Sequence, residues 1–117
     1  MLPKPFRLHA ERDFSRVFKY GRTLAQGVLV FKNGPNNLPV SRFGVVISNA
    51  VLKKAHDRNR AKRLIRAVLL KHYKNFIGGK DVVLIARKGI EKETFASLGL
   101  AIPWALQKIG VLPLQKY

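Results

Sequence analysis

A chain of 117 residues that is 47% hydrophobic can bury one core, so it is not a disordered basic tail, and it leaves little room for a second domain. Its 23 Lys and Arg against 6 Asp and Glu give a formal charge of +17, so RNA, DNA or an anionic membrane surface are the candidate partners. No apolar run approaches the ~20 residues that span a bilayer, Met1-Leu2-Pro3-Lys4-Pro5-Phe6-Arg7 lacks the apolar core of a signal peptide, and the absence of Cys excludes disulfides and thiolate metal sites. The expectation is a cytoplasmic nucleic-acid binder with no membrane partner.

Pro3 and Pro5 oppose helix and predict an extended start over residues 1–10. Glu11 to Tyr20 predicts a helix, with Phe14, Val17 and Phe18 at i, i+3 and i+4 and Gly21 to stop it. Leu24 to Phe31 is apolar and rich in β-formers, which predicts a strand. Lys32-Asn33-Gly34-Pro35-Asn36-Asn37-Leu38-Pro39 is dense in turn residues and reads as a hairpin loop. Arg42 to Ser48 predicts a second strand. Asn49 to Ala55 is open between a short strand and a loop. A long basic helix follows from about Asp57 to Phe76 and breaks at Gly78-Gly79. Asp81 to Ala86 is a continuous apolar run, the pattern of a strand covered on both faces. A last helix lies between Glu93 and Ile109; Pro103 suits its first turn better than its interior, and Trp104, Leu106 and Ile109 are expected to pack inward. The order α-β-β-(β)-α-β-α over 1–117 predicts a single α+β domain with helices against a sheet.

The basic helix carries the most information. Asp57 is placed to cap it. At about 100° per residue Asn59, Lys62, Arg63 and Arg66 share one arc with Arg60 at its edge, while Ala61, Leu64, Ile65, Val68, Leu69 and His72 occupy the other. A merely solvated face interleaves signs, because Glu–Lys pairs support a helix. Arg58, Arg60, Lys62, Arg63, Arg66, Lys71 and Lys74 meet no acid after Asp57. That repulsion is relieved by an extended polyanion, so nucleic-acid contact is the stronger reading.

Catalysis by the chain's own side chains finds little support. Glu11 and Asp13, like Glu91 and Glu93, are two apart and do not share a helix face. Asp57 is explained as a cap, and His9, His56 and His72 have no metal-site spacing. His72 reads as a core or boundary histidine. No Gly-rich phosphate loop or Ser nucleophile elbow is present. By spacing alone Phe14, Phe18 and Phe31 favour core packing, and a surface on which unpaired bases stack coexists with it if the rings line a half-buried groove.

Arg58-Asn59-Arg60-x-Lys62-Arg63-x-x-Arg66, preceded by Ala55-His56, resembles the signature of the bacterial ribonuclease P protein subunit. Arg7-Leu8, Asp13-Phe14, Val17-Phe18 and Gly21 resemble that family's N-terminal block; Arg42-Phe43-Gly44-Val45 and Ile85-Ala86-Arg87-Lys88 resemble two of its strands. Beyond Lys88 only general helical character is shared. The resemblance implies an α/β sandwich of ribosomal-protein-like fold with a left-handed β-α-β crossover. It implies a subunit of an endonuclease that removes the 5′ leader of precursor tRNA, the chemistry being done by an RNA subunit that also binds most of the magnesium. No catalytic side chain, metal ligand, covalent cofactor or obligate protein partner is then expected on this chain.

Carried over by position, Arg58, Asn59, Arg60, Lys62, Arg63 and Arg66 would face the ribonuclease P RNA, with Lys53 and Lys54 adding basic positions of the preceding loop. Phe14, Phe18 and Phe31 would line the cleft for the precursor-tRNA leader, and Arg7 and Arg12 would add phosphate contacts. The chain departs from the family at Asn49-Ala50, where a Lys-Lys pair is usual. The alternative class is a ribosomal or other structured-RNA-binding protein without a role in cleavage. A major-groove DNA binder fits less well, because strands flank the basic helix.

Overall fold

A computed structural model describes residues 2–114, in which α1 (Glu11–Tyr20) is the first long element and spans the predicted range. Its last turn closes on Gly21, whose N–H donates to the Val17 carbonyl at 2.8 Å. The predicted Leu24–Phe31 strand is instead two strands, β1 (Arg22–Gln26) and β2 (Leu29–Pro35). Gly27, at φ 57°, takes the first of the two turn positions between them, a conformation that glycine adopts without the Cβ clash. The apolar run hid that turn. Much of the expected hairpin loop belongs to β2, and the rest leads to β3 (Arg42–Val46), which is not a neighbour of β2.

Residues 49–55 hold a turn and no strand, and α2 (Ala55–His72) follows. Its N-cap is Lys54, with no side-chain cap; Asp57 is the third helical residue, where its charge still favours the helix dipole. The helix ends at His72, short of the predicted Phe76, and a single 3-10 turn covers Tyr73–Asn75. β4 (Lys80–Ala86) comes next, then α3 (Phe95–Lys108). Thr94 Oγ1 accepts from Ser97 N–H at 3.1 Å and Ser97 Oγ accepts from Thr94 N–H at 2.9 Å, a reciprocal cap that fixes the start of α3. Pro103 lies inside this helix, and Trp104 is 43% exposed and not packed inward as expected, whereas Leu106 is buried.

The strand order is β1-β2-β4-β3, antiparallel except for the parallel β3–β4 pair, whose connection is the α2 crossover. Alternation along β4 divides the core. Val82, Leu84 and Ala86 point with Leu29, Phe31 and Phe43 towards Ile65, Val68 and Leu69 of α2 and Leu98, Ile102 and Leu106 of α3. Val83 and Ile85 point the other way, to a smaller cluster with Leu8, Phe14 and Val17 under α1. The molecule is therefore a sheet with two helices on one face and one on the other.

That lone helix is fixed by charge. Asp81 of β4 is fully buried on the α1 face; Arg42, its register partner on β3, donates to it through Nε and Nη2, both at 2.8 Å. Arg16 of α1 reaches Asp81 at 3.2 Å and Asp13 at 2.9 Å, and Arg42 Nη1 lies 3.3 Å from Asp13. Asn36 adds a donor to Asp81 at 2.9 Å. Burial works against the Asp81 charge, but hydrogen bonds from Arg42, Asn36 and Arg16 and the Arg42 charge outweigh it and hold its pKa below the ordinary value.

A carboxyl whose pKa is lower folded than unfolded adds stability that is complete above about pH 4 and is lost as the pH falls through the folded value. Replacing Asp81 by Ala removes the fully buried acceptor of both guanidiniums, leaves them Asp13 alone, and is expected to cost about 3 kcal/mol at pH 7. Urea midpoints taken from pH 7 to pH 3 should fall steeply on the acid side for the wild type and less so for Asp81→Asn. Identical acid limbs would show that Asp81 does not carry this linkage.

Candidate nucleic-acid interface

The polar arc of α2 lies where its pattern puts it. Asn59, Arg60, Arg63 and Arg66 are exposed and Lys62 is half-buried, while Ala61, Ile65, Val68 and Leu69 are buried and Leu64 and His72 lie at the boundary. Among the described residues ion pairs involve only Arg16 and Arg42 as cations, so the α2 run meets no carboxylate. Arg58 differs from its neighbours. Its Nη1 donates to the Leu52 and Lys53 carbonyls at 2.8 and 2.7 Å, so part of this guanidinium clasps the loop that presents Lys53 and Lys54, both exposed.

A groove of about 270 Å³ runs along the outer edge of β3, between α1 and α2. Phe14 of α1 lines one side, Arg66 and Leu69 of α2 line the other, and Arg7 and His9 stand at the N-terminal segment that hydrogen-bonds to β3. Gly44 makes room: any Cβ there would collide with the Phe14 ring. Arg7 Nε donates to the Leu2 carbonyl at 2.6 Å, which folds the segment over, and Arg12 is exposed on α1.

The three phenylalanines separate. Phe14 is half-buried in the groove, and Phe18, one turn on, is 41% exposed. Phe31 is fully buried in the core under α2 and α3 and offers no ring surface to a ligand, contrary to the cleft position expected for it. The residue of β2 on the α1 side is the next one, Lys32, half-buried and in register with Val83. In a strand a shift of one residue exchanges the faces, so an apolar-looking segment with the wrong phase yields the wrong side chain. Leu29, Phe31 and Asn33 are buried while Val30, Lys32 and Gly34 are not, a phase that the residue types hide because Val30 is apolar and the buried Asn33 is polar.

A bound magnesium ion would need clustered oxygen ligands. Among the described residues no three His, Asp or Glu side chains come together, and Asp13 and Asp81 are already engaged by arginines. The chain's own residues do not fit such a site, and no metal step is assigned to them. Burial, then the Lys71 charge, pulls the His72 imidazole below its ordinary pKa, so it is not a cation of this surface at neutral pH. No helix among the described residues is long and apolar enough to cross a membrane.

The family model for ribonuclease P matches residues 2–110, including the C-terminal stretch where the recognisable blocks are weakest. A protein from Syntrophomonas wolfei named ribonuclease P protein component is 35% identical over 111 residues, covering 95% of this chain and 92% of that one. A Staphylococcus aureus RNase P protein, solved as a mutant with defective mRNA degradation activity, is similar with a TM-score of 0.84 at 26% identity, over 93% of this chain and 92% of the other. The RNase P protein from Thermotoga maritima matches with a TM-score of 0.79 at 28% identity, over 87% and 96%.

The split among the aromatics has a measurable consequence. Phe31→Ala is expected to cost about 3–5 kcal/mol of stability, because it empties a closed core site. Phe18→Ala should cost about 1 kcal/mol or less, since much of that ring already meets water. Chemical unfolding of the two variants checks this; equal losses would place both rings in the same environment.

Proposed function

The chain belongs to the ribonuclease P protein family, the protein subunit of the endoribonuclease that matures the 5′ ends of tRNAs, and we propose that it does so by holding two RNAs on one continuous surface. The ribonuclease P RNA meets the α2 face through Asn59, Arg60, Lys62, Arg63 and Arg66, with Lys53 and Lys54 at its approach. The single-stranded leader of precursor tRNA lies against α1, across Phe14, Phe18 and Lys32. The observation that carries this reading is the groove that has Phe14 on one side and Arg66 on the other.

Two polyanions repel each other, and close approach normally calls for counterions such as magnesium. A chain with +17 supplies fixed cations at that junction. The catalytic RNA performs the cleavage and holds the magnesium, while this chain binds, aligns and screens. Phe18 offers a ring face to an unpaired base; stacking is worth roughly 1–3 kcal/mol per base and does not depend on sequence. Lys32, half-buried and in register with Val83, contributes a cation from the floor of the sheet. This reading makes leader recognition at β2 electrostatic.

Arg60→Ala and Arg63→Ala should each weaken binding to the catalytic RNA and reduce the slope of log K against log salt by roughly 0.7–0.9 for every phosphate that the protein no longer neutralises. Unchanged slopes for both would place the RNA elsewhere on the surface. Phe18→Ala and Lys32→Ala should weaken leader-bearing precursor tRNA about five-fold or more while leaving mature tRNA nearly unaffected. Only Lys32→Ala should also lower the salt slope. Equal losses for precursor and mature tRNA would rule out leader contact at these two residues.

A further inference from the structure

The face of the molecule opposite α1 carries a second candidate surface that the maturation reading leaves unused. A groove of about 420 Å³ lies between the C-terminal turn of α2 and the outer side of α3. Leu100 is 79% exposed and Trp104 43% exposed on α3, and both line it. His72 and Asn75 form the opposite wall, and Gln107 stands beside Trp104 on the helix.

Two residues of α3 at this spot are poor helix formers, although the helix runs unbroken through both. Gly99 weakens a helix interior, yet a Cβ there would meet nothing within 4 Å, so packing does not demand a glycine. Pro103, four residues on, has no N–H, so the Gly99 carbonyl lacks its regular helical donor. Both residues line the groove. What the groove does present is an aromatic ring with two side-chain amides, those of Asn75 and Gln107. Each amide offers a donor and an acceptor, and the neutral imidazole of His72 adds one of each. That inventory matches the edges of a nucleobase, with Trp104 and Leu100 for its flat face.

The charge around the groove selects the same kind of ligand. Lys108 Nζ lies 5.2 Å from the Trp104 ring centroid; Lys71, next to His72 in sequence, has its Nζ 6.0 Å from the Phe95 ring at the start of α3, and both it and Lys74 are exposed. The six acidic residues all lie at position 93 or earlier, and α3 contains none. A polyanion with unstacked bases meets both requirements, whereas an acidic protein surface would leave the amides and the ring without partners. We propose that the α2–α3 groove is a second RNA site that takes unpaired nucleotides of a single strand, with a base on Trp104 and phosphates on Lys108 and Lys71. This site goes beyond the tRNA-maturation reading and does not rest on it.

Trp104 is the only tryptophan, so its fluorescence reports this groove alone. The probe is a ten-nucleotide adenylate RNA added to the full chain, and to a chain carrying Phe18→Ala, Arg60→Ala and Arg63→Ala to cripple the other surface. Saturable quenching in both chains is expected, with none from a duplex RNA of equal length. Trp104→Ala, read by anisotropy of labelled adenylate in the crippled chain, should weaken binding about five-fold or more. Gln107→Ala, which keeps the fluorophore, should weaken the quenching titration in the same direction. Bound strand without any change in Trp104, or quenching that disappears in the crippled chain, would overturn the proposal. So would sedimentation showing that a second copy of the chain covers the groove.

Discussion

The paired carboxylates Asp13 and Asp81, bridged by Arg16 and Arg42, decide where the α1 helix stands, and the proposed RNA surface is arranged around that helix. Few apolar groups hold α1 down: Val17 is buried and Phe14 half-buried, over Val83 and Leu8. Burying one valine is worth about 1.5–3 kcal/mol, which seats a ten-residue helix without fixing its rotation. The ionic cluster supplies direction, because the Arg42 guanidinium grips Asp81 through two nitrogens and reaches Asp13 with the third. Rotating α1 would break contacts to both strands at once. Phe14 and Phe18 inherit their positions from that constraint.

The same cluster sharpens the charge distribution. Two of the six acids are taken up internally with two arginines, so the rest of the surface keeps its strong positive excess. Like charges at i and i+4 on α2, such as Lys62 and Arg66, cost a few tenths of a kcal/mol each. Ile65, Val68 and Leu69 are each fully buried, and each is worth about 1.5–3 kcal/mol. Packing therefore wins by a wide margin, and the helix can hold an unneutralised stripe ready for a polyanion. Stability resides on one side of α2 and the proposed RNA contact on the other.

Local signals made much of this legible beforehand. The i, i+3, i+4 spacing located α1, the apolar run located β4, and the acid-free basic stripe located the exposed face of α2. The failures share a physical cause, which is information carried between distant parts of the chain. Arg16 and Asp81 are 65 residues apart and Arg42 and Asp81 are 39 apart, so neither pairing shows in local sequence. Phe31 falls on the core face and Lys32 on the α1 face because Gly27 turns the chain inside an apolar run, and the strand's phase is set by its register with β4. Asp57 looked like a cap because the helix start was read two residues late. Trp104 looked like core because α3 has apolar residues on more than one side, and only packing against α2 selects which side is buried.

The most direct measurement is the cleavage rate of precursor tRNA by a cognate ribonuclease P RNA at low magnesium, with and without this chain. Strong stimulation, no cleavage by the chain alone, and a benefit that shrinks as magnesium is raised are the expected results, because fixed cations replace counterions at the junction of two RNAs. Stimulation that is absent, or that does not depend on magnesium, would contradict the assignment of binding and screening to this surface.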